Sequence, residues 1–339
     1  MELSSKERIK NAINREIVDK IPVFPALHHN STRVVGEKIK NFAENSETMT
    51  YCLLKAQEKY GYDGLCIGVD AAIEAEAIGS EVFQPNDAPA YVKKFFIDEK
   101  KKFNKLKKLI NPKNEGRMPV IINTTKAIKE IVKDKLFIQS IIMGPVNLAT
   151  QLRGPEKFLF DLMDDIEFTN SLLDYCLKQS IEYGKALIDA GADDIDIGEA
   201  FCSLNMISPE IYRNFALERH KKLIKSLKEY SDSITITLHI CGDVTKILND
   251  MAMTGADILD IDWQVDMGLA TKFLACRGNL DPSRVLLSGN KELVLIESKK
   301  VIEKAASSKA LILGSGCEIA PDTPSENIVA MVEAAEKFS

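Results

Sequence analysis

Thr235-Ile-Thr-Leu-His239-Ile-Cys241-Gly242-Asp243 ends a β-branched apolar run in two metal-ligating side chains one residue apart, followed by a glycine and a helix start. In a strand, residues i and i+2 face the same side, so His239 and Cys241 can aim at one point. Imidazole and thiolate are both ligands that zinc favours. Either residue alone at such a place is more often a buried core side chain. The pair at a strand end carries the information.

Outward from this stretch the same pattern recurs. Ile21-Pro-Val-Phe-Pro-Ala-Leu27 reads as a short strand ending in His28-His29-Asn30, and Gly64-Leu-Cys-Ile-Gly-Val69 as one ending in Asp70. Phe137-Ile-Gln-Ser-Ile-Ile-Met143 closes at Gly144-Pro145, and Asp194-Ile-Asp-Ile-Gly198 leads to Glu199. Further strands are expected at 258–261, 274–277 and 310–313. Helical spacing covers 4–14, about 46–59, 118–133, 155–190, a run from Ser208-Pro209-Glu210 to about 229, and 244–253. Roughly eight strands separated by helices imply parallel βα units, and short apolar strands fit a sheet buried on both faces. A (βα)8 TIM barrel and an open doubly wound sheet both satisfy this alternation. Two features favour the barrel. His28, Asp70, Glu199, His239, Asp262, Asn279 and Cys317 all follow strands, as they would around one mouth. The first strand is followed by no glycine-rich phosphate loop. The expected organisation is one α/β barrel domain over residues 1–339, with an irregular lysine-rich excursion around 81–117.

Composition agrees with an enzyme of this kind. The 339 residues are 45% hydrophobic and 28% charged, with a net charge of -6, and no basic stripe suits nucleic acid. The lysine run at 99–108 reads as a solvated helix face. Seven cysteines form no framework of close pairs, the chain start has no apolar signal core, and no apolar run is long enough to span a bilayer. A cytoplasmic protein with reduced thiols is expected, which leaves cysteines free to bind metal.

The third ligand candidate is Cys317, in Leu313-Gly314-Ser315-Gly316-Cys317-Glu318, again just past an apolar strand. Strand ends converge at a barrel mouth, so Cys317 can meet His239 and Cys241. One imidazole and two thiolates suit zinc better than magnesium or calcium, and three ligands with an open position mark a catalytic zinc site. Cys52, Cys66, Cys176 and Cys276 are read as small core hydrophobes, and Cys202 as a loop residue.

His239-x-Cys241 with the distant Cys317 resembles the zinc motif of methyltransferases in corrinoid-dependent methyl-transfer systems. These include methylcobamide:coenzyme M methyltransferases and O-demethylase components, within the uroporphyrinogen decarboxylase superfamily. The resemblance runs nearly the whole chain: Arg8 with Asp19-Lys-Ile-Pro22, the acidic segment Asp70 to Gly79, Gly144-Pro145-Val-Asn-Leu-Ala149, Gly255-Ala-Asp257, Asp262-Trp263, Gly278-Asn279-Leu-Asp281-Pro282, and Gly316-Cys317 with Thr323-Pro324-Ser-Glu-Asn327. It implies a (βα)8 barrel with zinc on His239, Cys241 and Cys317. The implied reaction moves a methyl group between a small methoxylated compound or thiol, such as coenzyme M, and methylcobalamin or a related corrinoid. Zinc serves either substrate, by lowering a thiol pKa or as a Lewis acid on an ether oxygen. The corrinoid would be carried by a separate partner protein, since the pattern Asp-x-His-x-x-Gly is absent here. The alternative is a metal-free tetrapyrrole decarboxylase. Such enzymes carry an arginine-rich segment after the first strand, whereas Leu27 to Arg33 holds a single arginine.

Acids at strand ends complete the expected site. Asp70, Glu199 and Asp262 are the catalytic candidates; Glu199 and Asp262 would fill the fourth metal position or orient the His239 ring, and Glu318 is a weaker candidate. Asp70 is read as substrate-orienting or as a salt bridge at the mouth. His28, His29 and Asn279 are the substrate-binding candidates, with one histidine at most facing inward. Asn279 and Asp281 shape a mouth loop, and His220, between Arg219 and Lys221, is expected at the surface.

Overall fold

The computed structural model describes residues 2–106 and 108–339, so Lys107 of the lysine run lies outside the described residues. Helix Ser5–Ile13 opens the chain, with Ser4 accepting from the Glu7 amide as its cap. After the extended residues 21–27 and helices Ser31–Val35, Ile39–Glu44 and Ser46–Tyr60 comes strand β1, Gly64–Ile67. The excursion contains a short antiparallel hairpin, β2 (Glu81–Phe83) with β3 (Tyr91–Lys94), and a 3-10 turn at Lys100–Lys105 in place of a regular helix. Then follow β4 (Phe137–Met143), β5 (Asp194–Gly198), β6 (Thr235–Ile240), β7 (Ile258–Ile261), β8 (Ala275–Leu280) and β9 (Leu311–Ser315). Among the described residues, seven strands form one parallel sheet in the order β1-β4-β5-β6-β7-β8-β9.

The expected first strand is the point of departure. Pro22 and Pro25 have no N–H to give to a ladder, so residues 21–27 make one isolated bridge, Val23 to Leu313. That bridge is enough to close the ring. Phe24 N donates to Leu313 O at 2.7 Å, Leu313 N to Pro22 O at 2.8 Å, and Asp63 N to Val23 O at 2.7 Å. The segment thus joins β9 to the residue preceding β1, and the architecture is the expected (βα)8 barrel with an irregular first position. Gly314 permits the closure: a Cβ there would stand 2.6 Å from the Phe24 carbonyl oxygen.

The helical tract expected at 155–190 is two helices, Pro155–Asp164 and Ile166–Asp189, divided by Asp165, which caps the second; Gly154 at φ 91° separates them from the preceding helix Pro145–Arg153. The run from Ser208 widens into a π turn at Tyr212–Leu217 before Glu218–Tyr230.

The strands are apolar on their outer face, and their inner face mixes polar side chains with apolar ones such as Ile141, Ile258 and Ile312. Ile236, Leu238 and Ile240 pack outward, while Thr237 and His239 turn inward, following the period of two. Inside the barrel, Asp194 accepts from Gln139 Nε2 (2.8 Å), Thr237 Oγ1 (2.9 Å) and Thr235 Oγ1 (2.9 Å). One register row reads Gly198, His239, Asp260, Arg277, Ile312 across five neighbouring strands. Arg277, 1% exposed, donates to Gln139, Asp196 and Asp260 and stacks on the Phe24 ring at 4.8 Å.

Two stability outcomes follow from this packing. Gly314→Ala should lose about 1–3 kcal/mol in a urea unfolding curve, because Phe24 must shift for the barrel to close. Glu74 is fully buried and accepts from Met143 N at 2.7 Å, and burial pushes its carboxyl up from 4.5 to about 7. The folded state therefore holds a proton that the unfolded state has lost, so stability should fall as pH rises from 4.5 through about 7. Glu74→Gln should flatten that dependence in thermal melts and raise Tm relative to wild type above pH 7.

Candidate metal centre

His239 near the end of β6, Cys241 just past it and Cys317 two residues past β9 meet at the barrel mouth. His239 Nε2 lies 3.2 Å from Cys241 Sγ and 3.9 Å from Cys317 Sγ, and the two sulfurs are 4.0 Å apart. Zinc bound at about 2.3 Å from sulfur and about 2.0 Å from nitrogen gives tetrahedral edges of roughly 3.8 Å between sulfurs and roughly 3.5 Å between sulfur and nitrogen. The three ligand atoms stand near those edges, so the residues fit a zinc ion. Together they form a group able to hold a metal ion.

Each ligand is held from behind. His239 Nδ1 lies 3.0 Å from Asp260 Oδ2, so the Nδ1–H donates to the carboxylate and Nε2 is left to ligate. Asp262 pins the Cys241 loop and packs against the Cys317 loop. Its Oδ2 accepts from Gly242 N at 2.7 Å, next to Cys241. A Cβ on Gly316 would stand 2.8 Å from its Oδ1 and 2.5 Å from Trp263 N, next to Cys317. Without a metal the electrostatics favour a thiolate at Cys317 alone, since a hydrogen bond to Cys317 and burial push the Cys241 thiol up. Hydrogen bonds from Cys241 and His239, and the His239 charge, pull the Cys317 thiol well below its usual range against burial. The Arg277 and His239 charges overcome burial to keep Asp260 ionised.

A cavity of about 220 Å³ opens in front of the ligands. His28, Asp70 and Glu318 line it, whereas His29, Glu199, Asp262 and Asn279 do not. The Nδ1 atoms of His28 and His29 lie 3.0 and 2.6 Å from Glu318 Oε1, and their charges hold that carboxyl well below the usual range despite burial. His29 turns away toward Phe42, at 5.8 Å between rings. Asp70 pairs in a two-pronged way with Arg117, at 2.7 and 3.1 Å.

Several placements differ from the sequence expectations. The Glu199 side chain reaches neither the ligating atoms nor the His239 ring, though its amide donates to the His239 carbonyl at 2.9 Å. It accepts from Val146 N (3.1 Å) and Asn147 N (2.8 Å) at the first turn of helix Pro145–Arg153, and it contacts His220 Nε2 at 3.0 Å. His220, expected at the surface, is fully buried between Glu199 and Tyr212. Its spacing to Leu223, Ile224 and Leu227 places it on the buried face of its helix, a period that the flanking charges mask. Asp262 organises the loops while Asp260 orients the imidazole. Asn279 Nδ2 donates to the carbonyls of Asp262 (3.1 Å) and Val265 (2.7 Å), so it shapes the loop after β7. Asp281 caps the following turn through Ser283 N and Arg284 N. Sequence reading passed over Asp260 and Arg277; the available signal was a charged residue inside each of two otherwise apolar strands.

Asp260→Asn should weaken zinc binding about 10–100-fold. Cys317→Ser should leave less than one zinc per chain under the same chelator. Competition against a colorimetric chelator, followed by metal analysis, measures both.

Comparison with known proteins adds the family. A family model described as uroporphyrinogen decarboxylase (URO-D) matches residues 4–338. The methylcobamide:CoM methyltransferase MtbA of Methanosarcina acetivorans is 30% identical over 352 residues, covering 99% of this chain and 99% of that protein. A uroporphyrinogen decarboxylase of Citrifermentans bemidjiense is 28% identical over 290 residues, covering 80% of this chain and 81% of its own. Among solved structures, a methyltransferase from Methanosarcina mazei superposes with a TM-score of 0.89 at 28% identity, over 99% of both chains. Since the model spans almost the whole length, the chain belongs to the uroporphyrinogen decarboxylase family.

Proposed function

We propose that this enzyme is a zinc-dependent methyltransferase that moves a methyl group between the corrinoid of a separate corrinoid protein and a small thiol. The carrying observation is the set His239, Cys241 and Cys317, with tetrahedral spacing and one side open to the cavity. The relatives named above as methyltransferases support the same chemistry. When bound, zinc supplies Lewis acidity, lowering the pKa of a thiol so that its sulfur is nucleophilic at neutral pH.

The chain's own residues prepare that site. Asp260 fixes which imidazole nitrogen faces the cavity, and Asp262 bonds the Cys241 loop while packing against Gly316 beside Cys317. Glu318, kept ionised at the mouth, pairs with the His28 imidazole and holds it beside the cavity. The methyl donor must reach the same mouth, so the corrinoid protein docks there, and free methylcobalamin can enter in its place. No helix among the described residues is long and apolar enough to cross a membrane, and we assign the reaction to the cytoplasm.

The decarboxylase reading is the weaker one. A tetrapyrrole with many carboxylates needs free guanidinium groups. Arg277 is bound to Asp196 and Asp260, and Arg33 pairs with Asp87 and Asp322. It also leaves three zinc-type ligands without a role.

Zinc-loaded protein mixed with methylcobalamin and a small thiol should consume methylcobalamin, read by its absorbance, and yield the methyl thioether. Cys317→Ser should lower that rate at least about 100-fold. Demethylation of a methoxylated compound by reduced corrinoid, with no thiol methylated, would move the substrate to the ether class. Decarboxylation of a porphyrinogen by metal-free protein would refute the methyltransferase reading.

A further inference from the structure

The cavity has two unlike walls. The metal ligands stand at the ends of β6 and β9, the fifth and eighth positions around the barrel. The opposite wall comes from β1, β4 and the segments after them, and it is apolar: Val69, Ile73, Ile121, Ile141 and Met143 line it. Besides Asp70, which is paired with Arg117, two polar groups interrupt it. The Tyr183 hydroxyl and the Asn147 carboxamide oxygen are buried there without a partner in the protein. Tyr183 is fully buried and Asn147 is 3% exposed. The Asn147 amide already donates to Met143 Sδ at 2.7 Å, which leaves its oxygen as the unused end. Buried polar groups in native proteins are normally paired, so two left free on one cavity wall point to a ligand that pairs them.

The charges of the cavity point the same way. Among the described residues lining it, Arg277 is the one arginine or lysine, and it is bound to Asp196 and Asp260. Asp70 is matched by Arg117, and Glu318 by the two histidines. A sulfonate or carboxylate entering here meets four carboxylates and no unpaired cation. Size gives the third constraint. At about 220 Å³ the cavity exceeds the roughly 150 Å³ that suffices to hold a benzene in an engineered apolar cavity.

We propose that the wall bearing Tyr183 and Asn147 seats the body of the substrate, and that this substrate is uncharged. It would be a molecule of about one ring, apolar apart from a hydrogen-bond donor such as a hydroxyl. The identity of the reacting thiol rests on the methyltransferase reading; the seat does not.

Calorimetric titration of the zinc-loaded full chain tests the seat with benzenethiol, 4-hydroxybenzenethiol and 4-sulfanylbenzenesulfonate. The hydroxyl compound should bind about tenfold tighter than benzenethiol, as one added buried hydrogen bond gives. The sulfonate should bind at least about 100-fold weaker than benzenethiol. In Tyr183→Phe and in Asn147→Ala, the ratio between hydroxyl and unsubstituted thiol, measured within each variant, should shrink toward one. The proposal is overturned if the sulfonate matches benzenethiol, if none of the three binds, or if both variants keep the full ratio. Turnover with methylcobalamin separates the two claims. Binding with the stated preference but no methyl transfer keeps the seat and removes the methyltransferase reading. Transfer that is fastest to the sulfonate keeps the methyltransferase and removes the seat.

Discussion

The carboxylate of Asp260 stands between Arg277 and His239, and most of the structure is arranged so that it can. All three lie in one register row on adjacent strands β6, β7 and β8, with side chains turned to the barrel axis. An arginine buried as deeply as Arg277 is tolerable only with its charge compensated, and Asp196 and Asp260 supply that compensation. Compensation in turn keeps Asp260 ionised, so it can hold the His239 ring proton. A barrel whose axis was filled with aliphatic side chains would be easier to stabilise, but it would leave the imidazole free to rotate.

The same arginine ties the site to the closure of the barrel. Phe24, in the irregular segment that completes the ring, lays its aromatic face on the Arg277 guanidinium, while its carbonyl presses against Gly314. Four residues after Phe24 the chain reaches His28 and His29, which meet Glu318, the neighbour of Cys317. The first segment and the last strand are thus fastened at the mouth by side chains of the site itself. A lesion in the closing segment should therefore disturb metal binding as well as stability.

Much of this was legible in the sequence. The alternation of apolar runs with amphipathic ones gave the barrel, and the i, i+2 spacing of His239 and Cys241 gave two ligands that the structure brings together with Cys317. The reading fell short where a side chain's role depends on direction across strands. Asp260 and Asp262 are two residues apart and both acidic; only the register shows that one faces the imidazole while the other reaches the loops after β6 and β9. Glu199 follows its strand as the ligands follow theirs, yet it turns into the helix layer, because the first turn of Pro145–Arg153 offers it two amide donors. His220 was masked by its charged neighbours. Tyr183 and Asn147 lie on helices behind the sheet, and no spacing in the chain announces that they reach the cavity.

The central claim is that zinc sits on one imidazole and two thiolates with a position left for substrate sulfur. X-ray absorption at the zinc edge of the loaded protein, before and after addition of a neutral thiol, tests it most directly. The account predicts two sulfur ligands at about 2.3 Å, with a third appearing when the thiol is added. A site with fewer than two sulfurs, or one whose sulfur count is unchanged by every thiol that binds, would contradict it.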